Sequence, residues 1–463
     1  MSILDDNCVV ISISRRELLA VSAAAASQPL LDSEDLRFWR EQARRIVDSA
    51  ALPAGGMSGK YRNTTPYDVH VPGGNMGYPA FWVRDAVMML GADFISAREL
   101  EGWIRLMIST LRRHDWQVRP GVVVPAYAVP DHINFDGKAT FYPGNYETGE
   151  KQGGHPWGKY PPLDDNFFFI TAVYEHWRLT KDIGLFQSSV RTFSGEGRLA
   201  DVCEKVYAMP PCDKATGLVV AGDIQSENAK DWGFCDAVFK SGKLLFPSIL
   251  KLVAARQLAA MFAAAGEAGR AAHYRDEAGR IAAALEPTFL HPAQDGSEAW
   301  LHSATGVGNQ PDVWGSALAV HTGAVGAAAA TNVSRALVRA FRERTAVQDG
   351  FIRHILTTDP LNKGGWENAL PAPGEYQNGG YWGTPTGWYI SAVFMSDPGA
   401  AADLAREYIQ FLRAHRREDG TAQAWEWYNP RTGAHANPLY AATVALPYLS
   451  LRQAGLLHIL DLK

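Results

Sequence analysis

Cysteine is scarce in this chain: four among 463 residues, Cys8, Cys203, Cys212 and Cys235, at irregular spacing. So few and so scattered, they exclude a disulfide framework and a cysteine-ligated zinc site. Cys203 and Cys212 could pair if the chain is exported; otherwise they read as buried thiols. Also missing are a Gly-rich phosphate loop after a strand, an EF-hand loop and any Cys/His ligand spacing, so no metal and no cofactor is expected. Charge of one sign is not in excess either, since 44 Lys and Arg against 49 Asp and Glu leave a net −5. Neither nucleic acid nor an anionic membrane surface is an expected partner. Past the N-terminus no run approaches the roughly 18 uninterrupted apolar residues that cross a bilayer. Strand-like alternation is confined to short pieces such as 121–129.

What is present makes a large core. The chain is 47% hydrophobic and 20% charged, and no Pro/Ser-rich or charged linker divides it, so residues 31–463 read as one large domain. Residues 1–30 stand apart. Ser14, Arg15, Arg16, then Leu18 to Val21 and the small residues Ser22 to Ser27 resemble a twin-arginine export signal, which would place the protein in the periplasm or outside the cell. The alternative is a frayed, retained N-terminus on a cytoplasmic protein. Oligomeric state leaves no mark on the sequence.

Helical periodicity dominates, and about twelve helices are expected at 33–49, 80–95, 97–114, 165–181, 183–208, 247–265, 268–286, 312–323, 332–344, 384–396, 398–415 and 438–454. Short gaps within pairs favour antiparallel hairpins. The longer connections, 115–164, 209–246, 345–383 and 416–437, carry much of the Gly, Pro, Trp and Asn. Six hairpins closed into a ring would gather those connections at one rim, giving an all-α (α/α)6 barrel with function at the loop end. An open helical solenoid is the alternative.

Candidate chemistry sits in those connections. The run from Ala424 to Gly433 embeds Glu426 among Trp425, Trp427 and Tyr428 just before a turn. Aromatic faces pack on sugar C–H surfaces, and a carboxylate among them can activate water. Trp82, Arg84 and Asp85 open a helix and offer a fork and an acceptor to hydroxyl groups; a helix-end charge or a structural ion pair is the other reading. Asp164 and Asp165 open the apolar stretch Phe167 to Ile170. One of them can cap that helix, and like charges side by side allow the other to be held protonated, as a general acid requires. Asp231 and Trp232 precede another long helix, and Gln377, Asn378 and Trp382 lie in a Gly-rich turn.

These motifs, in this order, resemble those of the neutral and alkaline invertases. Val83-Arg84-Asp85 is similar to their VRD segment, and Pro162 to Asp165 with Phe168 to Ile170 to their PVDS…WWI segment. Gln377 to Trp382 is similar to HNGGSWP, and Glu426 to Gly433 to EYYDGKTG. The likeness covers islands between about 80 and 450 and extends to other six-hairpin glycosidases, including processing α-glucosidase and mannosylglycerate hydrolase relatives. It implies an inverting mechanism on an (α/α)6 barrel, with Asp164 as general acid and Glu426 as general base, their carboxyl groups roughly 6.5–9.5 Å apart. Arg84, Asp85, Asn378, Trp382 and Trp425 would bind the sugar. Asp165 stands where the invertases have a small residue and Gln377 where they have His, so sucrose is not implied and Asp165 remains a second candidate acid.

The expectation is therefore an inverting, exo-acting glycoside hydrolase on an α-linked small glycoside or oligosaccharide. Two other classes fit the same barrel. A sugar epimerase or polysaccharide lyase would work through His or Tyr at a ring carbon, with His132, His155, His354, His435 and Tyr428 as candidates. A carbohydrate-binding scaffold would keep sugar affinity without either carboxylate.

Overall fold

Six helices that carry apolar residues on nearly every side form the centre of the molecule: Val83–Met88, Asp165–Thr180, Leu245–Ala264, Val313–His321, Thr386–Phe394 and Ala441–Gln453. Such helices must be covered all round. Each packs on the next and the last returns to the first, so the ring closes. The Leu245–Ala264 helix is long and apolar enough to span a membrane, yet 83% of that window is buried within the protein. It is a core stave.

Six outer helices, Ser33–Ala50, Ala97–Thr110, Leu199–Ala208, Ala268–Phe289, Ala327–Arg342 and Pro398–Ala414, cover the ring. Most of them are amphipathic. In Ser33–Ala50 the buried set is Leu36, Trp39, Gln42, Ala43, Ile46, Val47 and Ala50, the three-and-four spacing of one helical face. Asp32 caps that helix by accepting from the amides of Glu34 and Asp35. Trp39 lies edge-on between Tyr408 and Tyr448 and donates its indole N–H to the Val444 carbonyl at 3.1 Å. Burying a side chain such as Ile46 or Leu36 contributes about 1.5–3 kcal/mol, so each outer helix is fixed by its inward stripe. The fold is an (α/α)6 barrel.

The computed structural model describes residues 30–74, 77–90, 94–146, 158–192, 195–222 and 232–457, and the backbone of 148–149 and 155–156. Connections from an inner helix to the next outer one tend to be short, such as 265–267 and 395–397, whereas connections from outer to inner are long. The long ones therefore meet at the N-terminal ends of the inner helices. They carry most of the strands, among them an antiparallel five-stranded sheet of Val347–Gln348, Phe351–Arg353, Tyr381–Trp382, Trp427–Tyr428 and His435–Ala436, in that order.

Two expected helices differ. The span 183–208 divides into Gly184–Gln187 and Leu199–Ala208, because residues 189–192 and 195–198 pair as a hairpin whose return strand contains Gly195 and Gly197. The span 80–95 shortens to Val83–Met88, because Phe81 and Trp82 are in a strand paired with Ile133 and His132. Cys203, Cys212 and Cys235 are free thiols, so Cys203 and Cys212 do not pair.

Candidate active site

Glu426 sits at the loop end of the barrel, in the residue before the Trp427–Tyr428 strand, and its amide donates to the Ala436 carbonyl at 3.0 Å. Its side chain is 3% exposed. The Tyr78 hydroxyl lies 3.0 and 3.1 Å from its two oxygens, and the Asn437 side-chain amide donates at 2.5 Å. Gly77 allows this, because a Cβ there would meet the Asn437 side-chain oxygen. Burial pushes the Glu426 carboxyl up to about 8; the Asn437 and Tyr78 hydrogen bonds oppose the shift, and the charges of Asp85 and Asp236 add to it.

A second acidic cluster occupies the starts of two inner helices. Arg84 holds Asp164 through both carboxylate oxygens, at 2.7 and 3.0 Å, a fork-to-fork pair. The Asp164 side chain has no exposed surface. It stands at the N-cap of Asp165–Thr180 but makes no side-chain capping bond there; its other partner is the Phe234 amide. Burial raises the Asp164 carboxyl against the pull of Arg84. Asp165 is 1% exposed, and neither of its oxygens has a hydrogen-bond partner among the described residues. Burial and then the Asp164 charge push it well above the ordinary carboxylate range. Asp85 accepts from the Tyr440 hydroxyl and is raised by burial to about 6, that bond and Arg84 opposing.

Aromatic rings wall the space between these groups. Trp82 and His132 are register partners on paired strands and stack with centroids 4.2 Å apart. Trp82 also meets Tyr78 at 5.3 Å, and Tyr142 meets Trp232 at 5.8 Å. Trp232 and Phe234 cover the Arg84 guanidinium at 5.3 and 5.8 Å. The buried Trp82 indole N–H has no hydrogen-bond partner among the described residues.

The structure thus gathers Trp82, Arg84, Asp85, Asp164, Asp165 and Trp232 in one neighbourhood, and Asp85 acts on Glu426. Other expected residues hold the loops together. Asn378 receives from the Trp366 amide and donates to the Pro371 carbonyl, each at 2.7 Å. Gln377 receives from the Ala237 amide, and the buried Trp382 donates to the Tyr376 carbonyl. Tyr428 donates to Asp349, and Trp425 packs on Phe411, His415 and His435 toward the Pro398–Ala414 helix. Asp231 lies outside the described residues, as does the side chain of His155.

Other contributors were not singled out from sequence: Tyr78, Asn437, Tyr440, Tyr142, Tyr376 and Asp236. Asp236 is partly exposed, and its charge reaches Glu426, Tyr78, Tyr142 and Tyr376. Its signal in the sequence is a carboxylate four residues after Trp232, on the connection already marked by Asp231 and Trp232. Of the histidines, His132 faces Asp131 at 2.8 Å, His435 is exposed, and His354 is sealed between Asp312 and Cys235.

No sequence-family model and no curated protein matches the chain. Solved structures match its shape over most of its length. A wild-type glycosidase is 15% identical at a TM-score of 0.52, covering 92% of this chain and 100% of that one. The glucoamylase of Hormoconis resinae is 12% identical at 0.54, covering 91% of this chain and 74% of that one. The GH63 mannosylglycerate hydrolase of Thermus thermophilus, in complex with glucose, is 12% identical at 0.50, over 89% and 99%. The chain shares the (α/α)6 fold of these proteins. The outer-to-inner connections form one rim, and that rim carries Glu426, the Arg84–Asp164 pair and the aromatic wall.

Proposed function

We propose that this protein is an inverting, exo-acting glycoside hydrolase for α-linked small glycosides or oligosaccharides. The observation that carries the reading is the setting of Glu426: a buried carboxylate held by Tyr78 and Asn437, beside Asp236 and a half-buried aromatic wall. Glu426 is the general base, and its raised affinity for protons makes its anion a strong one. It takes a proton from water while that water's oxygen bonds the anomeric carbon. On the opposite ring face the glycosidic C–O bond breaks, and its electrons leave with the oxygen.

We assign protonation of that leaving oxygen to Asp236 rather than to Asp164 or Asp165. Asp164 is occupied on both oxygens by Arg84, and Asp165 is packed beside it with 1% exposure. Asp236 is partly exposed, and its charge acts on Glu426 and on Tyr78, which holds it. Arg84 and Asp85 then bind sugar hydroxyls, with the Trp82 indole N–H as a further donor.

Proton NMR of a panel of α-linked glycosides tests this by following the anomeric signal of the newly released sugar. The expected first product is the opposite anomer, with turnover lost in Glu426→Gln. Asp236→Asn should lose turnover of ordinary glycosides while keeping that of glycosyl fluorides, which need no proton at the leaving atom. A product of retained configuration would overturn inversion, and no release across the panel would move the reading to a lyase, an epimerase or a binding protein.

A further inference from the structure

Among the described side chains, Met57, Tyr61, Tyr146 and Leu361 are the large apolar or aromatic ones left in solvent. Tyr146, 53% exposed, begins a run of rings that ends at Glu426. It stacks on Tyr142 with centroids 5.7 Å apart and planes 28° from parallel. Tyr142 meets His132 at 6.4 Å, His132 stacks on Trp82, and Trp82 meets Tyr78, whose hydroxyl donates to Glu426.

The loop that presents the two tyrosines is built to hold them. The Phe141 amide donates to the Asn145 side chain at 2.9 Å, and the Asn145 amide donates back to the Phe141 carbonyl at 3.1 Å. Phe141 anchors the loop in a small cluster with Val124 and Ala128. Gly144 has φ 143°, and a Cβ there would stand 2.6 Å from the Trp116 ring, so this close approach requires glycine. Tyr142 and Tyr146, four residues apart, are thereby fixed face to face with an outer ring open to solvent.

The strip also has a direction. Tyr142 meets the Trp232 ring at 5.8 Å, on the short connection that carries Asp236 four residues later, so the tyrosine pair lies on the Asp236 side of the site. With Asp236 as the proton donor, that is the side from which the leaving group departs. We propose that Tyr142 and Tyr146 are the binding platform for the leaving-group sugar, a second pyranose ring whose C–H face packs on Tyr146. The platform rests on the hydrolase reading above and gives it a substrate class: disaccharides and longer chains over glycosides with a small leaving group. An exposed tyrosine ring already stacked on Tyr142 offers a sugar face that apolar area.

The test compares kcat/KM for an α-linked disaccharide with that for the methyl α-glycoside of the same sugar, in the wild type, Tyr146→Ala and Tyr146→Trp. The ratio should fall about tenfold in Tyr146→Ala, equal to ~1.4 kcal/mol, chiefly through KM, and return in Tyr146→Trp. An unchanged ratio in Tyr146→Ala overturns the platform and leaves the hydrolase reading standing. A wild type that cleaves no glycoside strikes at the hydrolase reading instead, and saturation-transfer NMR then decides the platform. With the Glu426→Gln protein and the disaccharide, the reducing-end C–H protons should receive saturation and lose it when Tyr146→Ala is added. Equal transfer in both proteins, or no transfer in either, overturns the platform.

Discussion

Tyr78 and Glu426 are separated by 348 positions in the chain, yet the Tyr78 hydroxyl lies 3.0 and 3.1 Å from the two Glu426 oxygens. The bond favours the ionised carboxylate and so restrains the upward shift that burial imposes. Tyr78→Phe should therefore push the Glu426 titration higher. A pH profile of kcat/KM on a cleaved glycoside should show its acidic limb moved to higher pH, with the rate at neutral pH reduced at least tenfold. Hydrogen bonds to charged groups contribute about 1.5–3 kcal/mol, enough for a loss of that size. An unmoved limb would mean that Tyr78 does not set the charge of Glu426.

Glu426 also links stability to pH. Its folded value of about 8 stands above its ordinary 4.5, so between these values the folded state binds more protons than the unfolded state. Its favourable contribution is full below pH 4.5 and is lost as pH rises through 8. Glu426→Gln, which keeps a shape that can meet Tyr78 and Asn437, should flatten the fall in melting temperature between those limits. Thermal unfolding at several pH values checks it, and identical slopes for both proteins would contradict the shift.

How much of this was legible in the sequence depended on the range of each interaction. The inner helices announced themselves as apolar runs, as in Phe167 to Ile170, and the outer ones as stripes like that of Leu36, Trp39, Ala43 and Ile46. Glu426 and Arg84 stood out because their immediate neighbours are unusual. Tyr78, Asn437 and Tyr440 did not, since each matters only through a partner, and Tyr440 reaches Asp85 across 355 positions. Periodicity holds no information about such pairs. The amide of Asn378 and the phenol of Tyr428 have the chemistry of sugar ligands, but whether they face a substrate or other protein groups is decided by the packing of distant loops.

The Arg84–Asp164 pair should be a strong stability determinant as well as part of the site. With 14% and none of their side chains exposed, removing the arginine leaves Asp164 without its counter-charge beside Asp165. Breaking such a buried pair costs about 3–5 kcal/mol. Arg84→Met should lower the urea midpoint by that equivalent at about pH 7 and by less near pH 5, where Asp164 more readily takes a proton. Adding Asp164→Asn should recover part of the loss. If Arg84→Met alone is neutral, the pair is not the compensated charge described.

A third set of groups, joined to Asp236 through its chain neighbour Cys235, tests the acid side of the stability profile. His354 Nε2 is 3.0 Å from Asp312, its Nδ1 is 3.3 Å from the Cys235 sulfur, and Lys240 stands 3.7 Å from the other Asp312 oxygen. Burial lowers His354 to about 4, whereas His354 and Lys240 outweigh burial and lower Asp312 to about 2. The imidazole thus lies between the Asp312 carboxylate, which it approaches without an aligned hydrogen bond, and the Cys235 sulfur beside its Nδ1. Because the folded value of His354 is below its ordinary 6.5, its contribution is present above pH 6.5 and is lost as pH falls through 4. His70 and His321, also lowered to about 4 by burial, share that limb. His354→Gln should thus reduce, without abolishing, the loss of melting temperature between pH 6.5 and 4, while lowering stability near neutral pH because Asp312 and Cys235 lose their shared partner. Asp312→Asn should also lower stability near neutral pH, since Lys240 then faces no counter-charge. A His354→Gln protein with the full wild-type slope would show that folding does not lower the proton affinity of His354.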